Sequence, residues 1–190
     1  MNKNHAELCS SAEWADQLRT DVLKPLLDGV DLGPQLIEVG PGPGAATEWL
    51  RHRVARLVAV DADAQAVAAL AERYAGTNVE AITTDATDLP FADATFDAAA
   101  TFTMLHHVPT VAEQQRLLEE LIRVLRPGGL LVGSDSLAGD ELREFHRGDT
   151  YNPVEPARLL RWLQRLGCRP ITITVDWHLA FLAKTAGAGQ

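Results

Sequence analysis

The stretch Leu36-Ile37-Glu38-Val39-Gly40-Pro41-Gly42-Pro43-Gly44 constrains this 190-residue chain more than any other. A short apolar strand runs into alternating glycines, and a helix-forming segment follows from Ala45 to about Arg53. A second apolar run, Leu57-Val58-Ala59-Val60, ends in Asp61, seventeen residues after Gly44. Glycine permits positive φ and lets a ligand approach bare backbone. An acid at the tip of the next strand is placed to accept hydrogen bonds from both hydroxyls of a ribose. Together these features predict one half of a parallel nucleotide-binding sheet and a site for an adenosine-containing cofactor.

The glycines do not choose the cofactor, because Gly40-Pro-Gly42-Pro-Gly44-Ala45 also satisfies the dinucleotide pattern G-x-G-x-x-G/A. Three details point away from NAD or FAD. Pro41 and Pro43 have no N–H, whereas a dinucleotide turn aims N–H groups at a pyrophosphate. Glu38 lies inside the first strand, where it would repel a diphosphate but suit a cation. Thr84-Asp85-Ala86-Thr87-Asp88-Leu89-Pro90-Phe91 closes the third strand with a polar turn at the edge where ligands of open α/β sheets bind. S-adenosylmethionine is an adenosine with a sulfonium and an ammonium and no phosphate, and it fits such a site.

With these residues in view the chain resembles a known family. I-E-V-G-P-G-P-G, A-V-D-A-D, T-T-D-A-T-D-L-P-F, F-D-A-A-A-T-F-T-M-L-H-H-V and V-L-R-P-G-G-L-L-V look like successive motifs of the class I S-adenosylmethionine-dependent methyltransferases. They fall in family order over roughly Leu36 to Asp135, and they are closest to the small-molecule branch that resembles the quinone-biosynthesis enzymes. The resemblance implies a Rossmann-like α/β three-layer sandwich. Its seven-stranded, mostly parallel sheet would have the order 3-2-1-4-5-7-6 and an antiparallel last strand. It also implies roles. Gly40, Pro41, Gly42 and Gly44 would pass beneath the methionine half of the cofactor, and Glu38 would help hold its ammonium. Asp61 would take the ribose hydroxyls, with Ala62 against the adenine. Asp85 and the Ala86 N–H would meet the adenine edge, and Phe102 would touch the cofactor through its backbone.

The remaining sequence alternates strands and helices. Ser10 with Glu13 reads as a capping box opening a helix that buries Trp14, Leu18 and Val22, and Pro25 ends or kinks it. A helix from Asp63 turns Val67, Leu70, Ala71 and Tyr74 inward and stops at Gly76; strands follow at 79–83 and 96–101. Thr110 and Glu113 open another helix, with Val111, Leu118, Leu121, Ile122 and Leu125 as its buried stripe. Pro127-Gly128-Gly129 breaks it before the buried strand Leu130–Gly133. A last helix from Pro156 carries Leu159, Leu160, Leu163 and Leu166 and ends at Gly167, and strands at 171–175 and 178–184 close the fold.

By size the chain reads as one methyltransferase domain over 1–190: a helical lid (1–30), a cofactor-binding core (36–135), an acceptor-side segment (136–153) and a C-terminal helix with its strand pair (155–185). A net charge of −9 argues against nucleic acid as substrate. No run reaches the roughly 20 apolar residues of a membrane span. The N-terminus lacks a signal-peptide core, and Cys9 and Cys168 match no metal spacing, so reduced, inert thiols, a cytoplasmic location and no metal are expected.

Catalysis is less legible. Methyl transfer from a sulfonium is a direct displacement, and the protein's main task is to align the reacting groups in a dry site. A base matters only if the acceptor loses a proton; His106 and His107, beyond the fourth strand, are the candidates, but one of the pair is expected to pack or hydrogen-bond structurally and neither need be catalytic. The polar 136–153 stretch reads either as a solvated connector or as an acceptor-side wall, with Trp14, His146, Arg147 and Tyr151 on the substrate side. The marks of amino-methylating nucleic-acid enzymes, of cytosine-C5 enzymes and of magnesium-dependent catechol enzymes are missing from the sequence, which favours a small-molecule acceptor. The competing readings are an NAD(P)-binding oxidoreductase and a non-catalytic S-adenosylmethionine-binding protein.

Overall fold

Seven strands build one sheet. They are β1 (Gln35–Val39), β2 (Arg56–Asp61), β3 (Val79–Thr83), β4 (Phe96–Phe102), β5 (Leu125–Asp135), β6 (Ile171–Val175) and β7 (Leu179–Lys184), in the order β3-β2-β1-β4-β5-β7-β6. The computed structural model describes residues 3–187, so the ends of the expected 1–190 span lie outside the described residues. β1 to β5 pair in parallel, whereas β7 runs antiparallel to both β5 and β6. This is the Rossmann-like arrangement the sequence pointed to. Among the described residues no helix is long and apolar enough to cross a membrane.

Side-chain alternation along the strands splits the core in two. On one face Ile37, Val39, Val58, Val60, Ala99 and Leu131 pack against α6 (Val111–Val124) and α8 (Pro156–Arg165). On the other, Leu36, Leu57, Ala59, Ala98, Ala100 and Val132 pack against Leu18, Val22, Leu23, Leu27 and Leu50. Those residues come from α2 (Ala12–Gln17) and its continuation to α3 (Lys24–Leu27), and from α4 (Ala45–Leu50). Glu38 shares the parity of Leu36, so a carboxyl enters the second face beneath α4. The carboxyl ends of β1 to β4 share one edge. The chain leaves β1 towards β2 and β4 towards β5, so a crevice opens between β1 and β4, where α/β ligands bind.

Local signals explain most helix starts. Asp63 caps α5 (Ala64–Arg73), accepting from the Gln65 N–H at 2.8 Å. The Thr110–Glu113 box opens α6, with the Glu113 N–H donating to Thr110 Oγ1 at 3.1 Å and the Thr110 N–H to Glu113 Oε2 at 3.0 Å. Elsewhere the structure corrects the reading. Ser11, not Ser10, caps α2, because its Oγ receives the Trp14 N–H, and a further helix, α1 (Lys3–Cys9), precedes it. Pro25 does not end this helix. A π-helical turn over Leu18–Leu23 widens the backbone, with the Lys24 N–H reaching the Arg19 carbonyl, and the chain stays helical to Leu27. The wider turn accommodates a residue that has no N–H and a bulky ring.

The helix faces are also rotated from expectation. Ala71 and Val111 are exposed, while Gln114 and Leu117 are buried. In α8 Trp162 is buried and Leu160 is exposed, because the sheet lies on the side of Leu159 and Leu163 that Trp162 shares. Within 136–153 the chain forms a short helix, α7 (Asp140–Phe145).

Candidate active site

The glycine turn at the end of β1 separates three jobs that look alike in sequence. Gly40, Gly42 and Gly44 all hold positive φ, at 69°, 51° and 88°. A Cβ on Gly40 would lie 2.0 Å from Met104 Cγ, so this glycine is needed for packing against the loop after β4. A Cβ on Gly44 would meet Leu70 Cδ2 at 2.8 Å, so it lets α4 approach α5. A Cβ on Gly42 would meet nothing within 4 Å: it faces open space. That space is a cavity of about 550 Å³, within the range of small-molecule sites, roughly 300–1,000 Å³. Glu38, Gly40, Pro41, Gly42, Asp61, Ala62, Asp85, Ala86 and Phe102 all line it, and Gly44 does not.

The cavity floor is acidic. Asp61, at the tip of β2, accepts from the Asp63 N–H at 3.0 Å and from the Gly42 N–H at 3.4 Å, which fixes its carboxylate at the mouth of the turn. Asp85, just beyond β3, accepts from the Thr87 N–H and hydroxyl, both at 2.8 Å, in a local turn that lines the cavity. Thr103, just after β4, also lines the cavity and holds a left-handed φ of 51°, a conformation that a β-branched residue keeps only when its surroundings impose it.

Glu38 is the unusual member. It is 2% exposed, and its Oε2 accepts from Thr47 Oγ1 of α4 at 2.6 Å. Burial pushes its carboxyl up to about 7; the Asp61 charge adds to this and the Thr47 hydrogen bond opposes it. A cationic ligand needs the ionised form. Affinity for such a ligand is therefore expected to fall as pH drops below about 7, by up to about tenfold per unit, and Glu38→Gln should flatten the profile. The stability of the free protein runs the other way. A carboxyl raised above its unfolded value contributes stability that is full below the unfolded pKa and lost as pH rises through about 7. Calorimetry and melting curves between pH 5.5 and 8.5 (a window of about three units around the group) read both trends.

Away from the glycine turn, histidines converge on the cavity. The 3-10 turn Leu105–His107 follows β4 and places its two histidines differently. His106 is buried, its Nδ1–H donating to Asp135 Oδ1 at 2.5 Å and its backbone N–H to Asp135 Oδ2 at 3.1 Å; it does not line the cavity. His107 is half-buried and lines the cavity. Burial, followed by His106, His5 and His146, pulls the His107 imidazole down to about 3. An imidazole so reluctant to take a proton is a poor general base near neutrality, against the expectation from an ordinary histidine. His5 is pulled down to about 4, first by burial and then by His146 and His106, with Asp149 opposing, and burial also lowers His146.

The remaining candidates divide. Trp14 lines the cavity, whereas Arg147 is exposed and ion-paired with Glu144. His146 is buried, and Tyr151 stacks on it with centroids 4.7 Å apart, behind the cavity wall rather than in it. The 136–153 segment is pinned by polar groups: the Asn152 N–H donates to the His106 carbonyl at 2.7 Å, and Gln114 Nε2 bridges the Leu105 and Asn152 carbonyls. Sequence reading missed His5, Cys9, Asp149 and Thr150, all on the cavity wall. None carries a motif, and only the fold brings α1 against the loop after β4. The Cys9 thiol is pushed up to about 11 by burial, consistent with an inert cysteine.

Residues 37–133, just over half of the chain, match the family described as "Methyltransferase domain". The chain belongs to this methyltransferase family. It is 34% identical to a demethylmenaquinone methyltransferase of Thermobifida fusca over 71% of this chain and 52% of the relative. It is 30% identical to a fatty-acid O-methyltransferase of Mycolicibacterium smegmatis over 65% of this chain and 44% of the relative. The chain thus spans about half the length of the curated methyltransferases it matches. A SAM-dependent methyltransferase structure from Aquifex aeolicus superposes with a TM-score of 0.75 at 18% identity, covering 98% of this chain and 100% of that one, which is likeness of fold.

Proposed function

We propose that this chain binds S-adenosylmethionine at the acid-floored turn and transfers its methyl group to a small-molecule acceptor by direct displacement. The observation that carries this reading is the pairing of buried Glu38 with the open face of Gly42. It offers an anion and bare backbone, and the flanking Pro41 and Pro43 offer no N–H to a phosphate. The residues fit the group. Glu38, held in place by the Thr47 hydroxyl, would hold the ammonium side, Asp61 the ribose hydroxyls, and Asp85 with the Ala86 N–H the adenine edge. When bound, the cofactor would supply an electrophilic methyl on a sulfonium.

The chain's own part is to orient and to exclude water. Trp14, Leu18, Val108 and Leu117 give the acceptor end of the cavity apolar walls, which suits a molecule with an apolar body. The names of the curated relatives, a quinone and a fatty-acid enzyme, belong to that class of acceptor. On this reading residues 36–135 are the cofactor-binding core and 136–153 the acceptor side, the charge of −9 disfavours nucleic acid as substrate, and two cysteines without a metal spacing suit a cytoplasmic location. A screen of phenols, quinols and long-chain acids for S-adenosylhomocysteine formation tests the proposal. Turnover with at least one class is expected. Tight S-adenosylmethionine binding without turnover on any class would contradict methyl transfer and favour a binding protein.

A further inference from the structure

Four of the chain's six histidines meet in one place. His5 comes from α1, His106 and His107 from the turn after β4, and His146 from the end of α7. Ring centroids lie 4.8 Å apart for His5 and His107, 4.6 Å for His5 and His146, and 5.3 Å for His107 and His146. One nitrogen from each of these three rings lies within 4.8 Å of the other two.

The hydrogen bonds behind the rings matter as much as their spacing. His146 Nδ1 donates to the Leu142 carbonyl at 2.6 Å, an acceptor that cannot donate back, so Nε2 carries the lone pair. That Nε2 is buried and has no hydrogen-bond partner among the described residues, on a side chain whose residue is 3% exposed. Tyr151 stacked on the ring and Asn152 tied to the His106 carbonyl hold it in place. Beside it, His106 is oriented in the same manner by Asp135, and its Nε2 is also buried without a partner. A carboxylate oxygen of Asp149 lies 3.6 Å from His5 Nδ1. Buried polar atoms are normally satisfied. An imidazole whose far nitrogen is fixed by a carbonyl or carboxylate is the usual setting of a metal-bound histidine.

We propose that His5, His107 and His146 form a binding site for a divalent transition metal, with zinc the best match, at the acceptor end of the cavity. Three imidazoles with a fourth position open are a catalytic zinc donor set. Tetrahedral bonds of about 2.0–2.1 Å require nitrogens about 3.3 Å apart, so the rings need only modest closure around the ion. His5, His107 and Asp149 line the cavity and His146 stands behind it, so the open position faces the cavity. It would take an oxygen or sulfur donor atom of the acceptor, holding it and favouring its deprotonated form. That use rests on the methyl-transfer reading above, whereas metal binding itself does not.

The test uses the untagged full chain, stripped with chelator and titrated with Co²⁺, without cofactor or acceptor. Expected are a 1:1 endpoint, the intense visible absorption of tetrahedral cobalt, its displacement by Zn²⁺, and a zinc-dependent rise in melting temperature. His107→Ala and His146→Ala should each weaken binding more than about 100-fold, and His52→Ala should not. Should an alanine variant fail to fold, ring-proton NMR of the unmodified chain decides: zinc should move the signals of His5, His107 and His146 and leave His52 and His178 in place. No 1:1 endpoint, or shifts confined to His52 and His178, would overturn the site. Failed methyl transfer with an intact cobalt spectrum would overturn only the proposed activity.

Discussion

Gly42→Val is expected to abolish binding of S-adenosylmethionine while leaving a folded protein. The residue holds φ 51°, so a β-branched side chain there costs about 1–2 kcal/mol of backbone strain. At this chain length that is a loss of several degrees in melting temperature. A Cβ there meets nothing within 4 Å, so strain at this φ rather than a clash at the branch point is the main cost to the fold. What it fills is the space over the turn where the ligand would lie. Gly40→Ala makes the contrast. Its Cβ would run into Met104, so it should destabilise the fold first and reduce binding as a consequence. Melting curves and calorimetry on the two variants separate these effects. Normal binding by folded Gly42→Val would mean that the ligand does not cross this turn.

Asp61→Ala is expected to weaken the same ligand by roughly 1.5–3 kcal/mol, about tenfold to a hundredfold. The substitution removes a charged acceptor for two ribose hydroxyls. It also frees the Asp63 and Gly42 N–H groups that the carboxylate now receives. The first of these bonds is exposed and the second is long, at 3.4 Å, so the fold should lose little. Asp61→Asn keeps acceptor geometry without charge and should fall between the two proteins. Unchanged affinity in folded Asp61→Ala would remove the ribose role from this residue.

The lining of the cavity around the glycine turn was legible because its determinants are local. Glu38, the turn and Asp61 lie on one strand–turn–helix–strand unit, whereas the burial of Glu38 under α4 against Thr47 came only with the structure. What sequence could not show is how the three glycines differ, because Met104 and Leu70, which decide two of them, come from elsewhere in the chain. Helix faces were misjudged for the same reason. Leu160 and Trp162 are both apolar, and only the position of the sheet says which one is covered. The histidine side of the cavity was largely illegible. His5, His107 and His146 come from three distant segments, and an isolated histidine has no periodic or spacing signature. The 136–153 segment looked unanchored because its anchors are polar, an Asn152–His106 backbone bond and a Gln114 bridge rather than leucines.

The central claim is that the acid-floored turn holds a cationic adenosine ligand. Calorimetric titration of the untagged chain at pH 8, where Glu38 is ionised, with S-adenosylmethionine and in parallel with NADH, tests it most directly. The account predicts 1:1 binding of S-adenosylmethionine that weakens as pH falls below about 7, with no measurable heat from NADH. Saturable NADH binding, or no binding of S-adenosylmethionine, would contradict it.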